Sequence, residues 1–454
     1  MQIMEWNPED VPDYNEGFGC GCIQKDFNLT EIHGEREMLR HGFVQDIDGD
    51  GKPEIITRTM NANRARAMRL SDASTIWVSP AIAPPPEESV QISDIDVGDL
   101  DEDGTPEVLL ASYQGDVICL DATDGSLKWH RRLDYLINNS SLKVRKIAPG
   151  PGKNIALTVA EKVERESYGG ERPRYNHMVK PSLLVLNHRG ETEFICEEYA
   201  PRNSAGHYTW PFDIDNDGYC EIGCCGEKQV VWFDNDGTRL FSLPSPGEGG
   251  HPDHLWVCNW DTSREGREII YLNGTRGVKI YSCWGELVQE ADYPKDVASH
   301  LQWFSVLPES DPAELIASNI RSADSKLLRL NHDLEVVWGL TLPVDLMVAG
   351  YLDWDSDGKA EIVCGGTGGD YHYQNGPQEC SLHIANRDGS AAYWHRWPGL
   401  SDCFPIVMDD VDADGQKEIV VTVGAHDGPE GRFSLPEGEH LHLLVIKPTN
   451  AKAF

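Results

Sequence analysis

The amino-acid sequence predicts an all-β fold, an eight-bladed β-propeller, and three observations carry that reading. A nine-residue acidic loop recurs along the chain, apolar strands joined by tight turns follow it, and no stretch keeps a helical period. Four short antiparallel strands per unit of roughly 40–55 residues is the period of a propeller blade, whose apolar faces are buried only when neighbours stack.

The loop comes first. Asp46-Ile47-Asp48-Gly49-Asp50-Gly51-Lys52-Pro53-Glu54 reads D-x-D-x-D-G-x-x-E and runs into Ile55-Ile56. The pattern recurs as Asp99, Asp101, Asp103, Glu107; as Asp213, Asp215, Asp217, Glu221; as Asp353, Asp355, Asp357, Glu361; and as Asp410, Asp412, Asp414, Glu418. Three eroded copies fill the gaps. Asn259-Trp260-Asp261 leads to Glu268, Leu307 to Asp311 leads to Glu314, and the stretch after Lys146 keeps only a loop and a strand. Eight units result, mostly 46 to 57 residues apart, with one interval of about 67. Asp124-Gly125, Asp236-Gly237 and Asp388-Gly389, each between apolar runs, are hairpin signals within the units. Seven blades are the alternative if the unit near Lys146 is an insertion.

Ring closure follows from the ends. The last unit has its third strand at His442–Ile446 and leaves only Ala451–Phe454 for a fourth, so a segment around Phe27–Ile32 is expected to supply it. The organisation expected is an N-terminal segment, 1–40, and one propeller domain, 41–454. A length of 454 residues alone suggests two to four domains, and the repeat overrides that prior.

Composition narrows the function. A net charge of −36 argues against a nucleic-acid surface, which needs Lys and Arg to displace counterions. No apolar run reaches 18 residues, so membrane insertion through a helix is not expected. The first 30 residues are acidic and lack the apolar core of a signal peptide. Twelve cysteines without paired zinc spacing suit a reducing cytoplasm. Weak calcium loops would instead fill best outside the cell, where the chain belongs if a leader has been trimmed from it.

The five complete loops gather 20 of the 75 acidic side chains. Residues 1, 3 and 5 of a tight loop can turn their oxygens inward, the glycine allows the sharp bend, and residue 7 offers a carbonyl. A hard cation with six to eight oxygen ligands at ~2.3–2.6 Å fits, which means calcium, in a structural role that ties the first hairpin of a blade together.

Repeats of this form resemble the FG-GAP family, found in integrin α-subunit propellers and in bacterial secreted enzymes. Glutamate at position nine, the wording Asp50-Gly51-Lys52-Pro53-Glu54-Ile55 and the eight units bring the chain nearest to the family 11 polysaccharide lyases, the rhamnogalacturonan lyases. Gly249-Gly250-His251-Pro252-Asp253-His254, just ahead of a first strand, adds to the likeness, which covers about residues 41–454. It implies a propeller that cleaves an acidic plant-type polysaccharide or oligosaccharide.

Strand logic says where a site should be. The acidic loop joins strands one and two, so residues five or six places earlier start strand one on the opposite face, beside the axis. His41, His207, His254 and His300 share that phase, and His207, His254 and His300 fall in consecutive units. Loops between strands two and three open on the same face. Three are long: 161–181 carries Arg172, Arg174, Tyr175 and Lys180; 365–380 carries Asp370, His372 and Tyr373; 424–439 carries His426, Asp427 and Arg432. Arg58, Arg276 and Arg321 occupy the shorter ones. Arginines gathered on one face of an acidic protein suit an anion.

For a 4-linked uronide the expected reaction is β-elimination. A cation neutralises the carboxylate, a base removes the acidified C–H proton, and an acid protonates the leaving oxygen. His207 and His254 are the base and acid candidates, with Tyr208 and His300 as alternates. Arg172, Arg174, Tyr175, Arg276, Arg321, His372 and Arg432 are the substrate-binding candidates. Trp210, Trp256 and Trp303 follow the histidines in strand one and read as packing between blades. A hydrolase would need two carboxylates, which Asp253, Asp370 and Asp427 could supply. A non-catalytic propeller that binds a glycan or protein is the alternative from another class. An additional divalent metal on His207, His251, His254 and His300 is a further possibility.

Overall fold

Six of the loop glutamates and their counterparts open a strand: Glu54, Glu107, Glu221, Glu268, Glu361 and Glu418 each begin the second strand of a sheet. The computed structural model describes the chain outside residues 1, 6–17, 20, 29–36, 60–63, 82–91, 138–140, 162–179, 198, 200–207, 227–228, 245–253, 273–276, 295, 299–300, 309, 320–324, 343–344, 368–378, 399–401, 413, 425–441 and 449–454. Among the described residues there is no helix, and the strands form eight sheets. Blades 1 to 8 span 37–78, 92–132, 135–196, 209–244, 254–292, 301–342, 345–398 and 402–448. The unit near Lys146 is a complete blade, the third, so the ring has eight blades rather than seven. Its first strand is broken into Tyr135–Ile137 and Lys143–Arg145, both paired with Asn154–Glu161.

The apolar material sits between blades. Ile56 and Ala67 of blade 1 pack with Ile95 and Val108 of blade 2. The preceding residue, Ile55, points the other way and packs with Val411, Val420 and Val445 of blade 8. Strands buried on both faces read as continuous apolar runs, which is why Val108-Leu109-Leu110-Ala111 shows no alternation. Eight such clusters, one at each junction, close the ring. Each fully buried Ile, Leu or Val in them contributes about 1.5–3 kcal/mol.

First strands of neighbouring blades approach one another, among them Glu37–Gln45 with both Ile92–Gly98 and Asp402–Asp409, so the first strand of each blade lines the axis. Outer strands dock on the next blade through an aromatic residue. Trp129 donates its indole N–H to the carbonyl of His188 at 3.2 Å, and Trp338 to that of Arg387 at 2.9 Å.

The N-terminal region runs along three outer edges in turn. Gln2–Glu5 pairs in parallel with Val336–Leu342 of blade 6, and Phe18–Gly19 pairs with Ala391–Pro398 of blade 7. Gly21–Asn28 pairs antiparallel with His442–Pro448 and forms the fourth strand of blade 8. This strand lies upstream of the segment around Phe27–Ile32 expected from the sequence; Phe27 pairs with Leu443 and Asn28 with His442.

Candidate functional site

The five acidic loops share one construction. Their position-six glycines sit in the left-handed region, at φ 84° for Gly51, 94° for Gly104, 92° for Gly218, 86° for Gly358 and 88° for Gly415, where a side chain would be strained. The turn lets the first aspartate accept the amide of that glycine, at 2.9 Å for Asp46, 3.0 Å for Asp99, 3.3 Å for Asp213, 3.1 Å for Asp353 and 2.8 Å for Asp410. The fifth-position aspartates Asp50, Asp103, Asp217, Asp357 and Asp414 accept the amide two residues on, at 2.7 to 3.0 Å.

The ninth-position glutamates are buried, and one oxygen of each accepts the amide of the second loop residue. Those distances are 3.0 Å for Glu54, 2.7 Å for Glu107, 2.8 Å for Glu221, 2.7 Å for Glu361 and 2.9 Å for Glu418. Glu268 of the eroded fifth unit keeps the same bond to Trp260 at 2.9 Å, and Asn154 holds Ile147 in the third at 3.1 Å. The staple therefore persists in units that lack the full set of aspartates.

Carboxylate oxygens converge in each complete loop. Asp46, Asp48 and Asp50; Asp99, Asp101 and Glu107; Asp213, Asp215 and Glu221; Asp353, Asp355 and Asp357; and Asp410, Asp412 and Glu418 each bring three ligand atoms within 4.8 Å of one another. These all-oxygen donor sets fit a hard divalent cation. Burial pushes Glu54, Glu107 and Glu418 above the usual carboxylate range, and Glu221 and Glu361 to about 7, with the neighbouring aspartates adding to the rise. A bound cation would reverse that cost.

At the other end of the first strands lies the channel mouth. His254 heads the first strand of blade 5, paired with Leu272, whereas Cys258 pairs with Glu268 at the loop end. Tyr208 directly precedes the first strand of blade 4, and its ring stacks on Trp210 with centroids 5.5 Å apart. His207, His300, Arg172, Arg174, Tyr175, Arg276, Arg321, His372 and Arg432 lie outside the described residues, as do His251, Asp253, Asp370 and Asp427.

Trp210 packs against the junction of blades 4 and 5, as expected, and Trp256 departs from that expectation. They are equivalent residues on adjacent first strands, facing Gly223 and Ile270 across the ladder. Trp256 is 40 % exposed, while its neighbours Leu255 and Val257 are buried. Alternation along the strand turns Leu255 and Val257 into the junction with blade 4 and sets the indole on the opposite face of the sheet, beside Ile270 of the junction with blade 6, with part of its surface open.

Sequence reasoning missed a polar cluster at the same end of blade 2. Buried Asp116 accepts from Ser112 at 2.7 Å and Arg132 at 2.5 Å, and pairs with His130 at 3.0 Å. Burial would raise its carboxyl, and these bonds outweigh that and hold it below the usual range. The serine donates to the carboxylate rather than to the imidazole, so the group braces three strands and is not a nucleophile with its base.

Comparison with known proteins agrees with this geometry. Residues 46–110 match the FG-GAP-like repeat. Among curated proteins no sequence matches significantly. The Bacillus licheniformis rhamnogalacturonan lyase PL11 is similar in structure with a TM-score of 0.51 at 17% identity, over 90% of this chain and 71% of that one. BamB from Moraxella catarrhalis matches at 0.52 and 12% identity, over 96% and 99% of the two chains. The quinohemoprotein alcohol dehydrogenase from Comamonas testosteroni matches at 0.54 and 11%, over 96% and 77%. Such different activities on one architecture show the fold alone. The chain is an eight-bladed β-propeller that carries an FG-GAP-like repeat.

Proposed function

We propose that the protein is a carbohydrate-active lyase that cleaves a uronic-acid-containing, rhamnogalacturonan-like glycan by β-elimination at the channel mouth, on a ring braced by structural calcium. The observation that carries this reading is the exposed face of Trp256, two residues from His254 on the same first strand and equivalent to Trp210 in the adjacent blade. An indole left partly exposed near the head of a first strand offers a sugar ring a flat apolar surface. Histidines at that end are suited to take the proton from the carbon next to the carboxylate and to protonate the leaving oxygen. Arginines of the long loops would neutralise the carboxylate. The lyase among the similar structures supports the same substrate class. Calcium is supported by the oxygen-only donor sets of the loops, which lie at the far end of the strands and so away from the chemistry.

Incubating the protein with acidic plant or algal polysaccharides and following absorbance of the new unsaturated uronide tests the reaction. Product should form, and His254→Ala should lose it while keeping the melting temperature. Glycan binding without product would leave a binding propeller in place of a lyase, and a fully active His254→Ala would remove that residue from the chemistry.

A further inference from the structure

We propose that Lys128 and Lys447 are built-in cations that take the place of the metal ion in the loops of blades 2 and 8, so that the chain holds three calcium ions, in blades 1, 4 and 7, and not five. The proposal rests on the calcium reading of the loops.

Lys128 lies on the outer strand Leu127–Arg132 and reaches inward to the acidic loop of its own blade. Its ammonium stands 2.5 Å from Glu107 Oε1 and 3.1 Å from Asp101 Oδ2. Glu107 and Asp101 are two of the three converging groups there. Lys447 starts from a different place, the third strand His442–Pro448 of blade 8, and arrives at the same point of its loop. It sits 2.8 Å from Glu418 Oε1 and 3.6 Å from Asp412 Oδ1, and also touches Asp414. Only 6 % of Lys447 is exposed. Two lysines from non-equivalent strands thus deliver a positive charge to equivalent sites.

The eroded units follow the same rule. In blade 3 Lys146 stands first in the loop, where the complete copies have aspartate, and donates to the carbonyls of Gly150 at 2.9 Å and Gly152 at 2.7 Å. Arg264 binds Asp261 at 3.1 Å in blade 5, and Arg329 binds Glu314 at 2.6 Å in blade 6. Blades 1, 4 and 7 differ. Among the described residues, the one cation recorded on their acidic loops is Lys359, 3.6 Å from Asp357, both of them well exposed. Such a rim contact is weak and easily displaced.

An ammonium within hydrogen-bond distance of two ligand carboxylates leaves no room for a divalent ion between the same oxygens. Binding calcium in blades 2 and 8 would require withdrawing the lysine against its own ion pairs. Among the described residues, nothing has to leave in blades 1 and 4, and in blade 7 only the exposed Lys359 has to move aside.

Equilibrium dialysis of the full chain against calcium, followed by elemental analysis, reads the count directly. The unsubstituted protein should retain three ions. Lys128→Met and Lys447→Met keep the apolar stem and remove the charge; each should raise the count to four, and the double variant to five. More than three ions in the unsubstituted chain overturns the proposal while leaving the calcium reading intact, and this count needs no variant to fold. Folded variants that stay at three also overturn it. No ion in any form overturns both readings together.

Discussion

Trp77 of blade 1 lies flat against Gly125 of blade 2. Its indole N–H donates to the carbonyl of Ala122 at 2.7 Å, and a Cβ on Gly125 would stand 2.7 Å from the ring carbons. Gly125 is also in the left-handed region, at φ 72°. Turn and ring therefore specify each other across the junction. Trp77→Ala should cost about 3–5 kcal/mol in chemical denaturation, as for other buried aromatic truncations. Gly125→Ala should cost about 2 kcal/mol, from left-handed backbone strain and from overpacking against the ring.

Calcium removal should lower the melting temperature, because each loop of blades 1, 4 and 7 then holds several carboxylates within a few ångströms with no cation between them. Re-adding calcium should restore it. Asp355→Asn, in a loop without a lysine, should shrink this calcium-dependent gain. The same change at Asp101, where Lys128 already binds, should shrink it much less. Differential scanning calorimetry with and without chelator measures both.

The calcium-free protein should lose stability as pH rises. Glu221 and Glu361 have folded values near 7, raised by burial from 4.5. A group raised in the fold binds its proton more tightly there than in the unfolded chain. The penalty is absent below about pH 4.5, grows as pH rises, and is complete above about pH 7. The melting temperature should fall by several degrees across that window without calcium and stay flat or rise with it. Glu221→Gln should remove part of the fall.

The nine-residue loop made the fold legible, because the glycine, the alternate aspartates and the strand-opening glutamate are all local in sequence. Counting its copies, eroded ones included, gave eight blades and placed the third correctly even though only Asn154 keeps the glutamate's role there. Contacts made across long separations were not legible. Lys128 and Lys447 reach their loops from strands 21 and 29 residues away from Glu107 and Glu418, and nothing in their neighbours announces it. Trp256 departs from the packing expectation for a related reason. Apolar character says that a side chain prefers burial, but the residues brought to it by the next blade decide how much of it is covered. The arginine and histidine candidates of the long loops fall outside the described residues.

Trp256→Ala should separate binding from folding. Most of the indole is covered, so truncation should cost on the order of 1–3 kcal/mol while the ring still folds. Loss of one stacking surface should weaken the affinity for an acidic oligosaccharide about tenfold, measured by isothermal titration calorimetry. Unchanged affinity would move the sugar site away from the first strand of blade 5.

Removing residues 1–28 should weaken the whole ring, and removing 1–19 should weaken it much less. The shorter deletion takes away Gln2–Glu5 and Phe18–Gly19, which add edge strands to sheets that already have four. The longer one also removes Gly21–Asn28, the fourth strand of blade 8, which among the described residues is the only segment of that blade drawn from the other end of the chain. Without it Leu443 to Ile446, buried in the junctions on both sides of blade 8, belong to an edge strand with unpaired backbone groups. The melting temperature should drop by on the order of 10 °C for the longer deletion, with concentration-dependent aggregation, and by only a few degrees for the shorter. Equal losses from the two deletions would mean that Gly21–Asn28 does not close the ring.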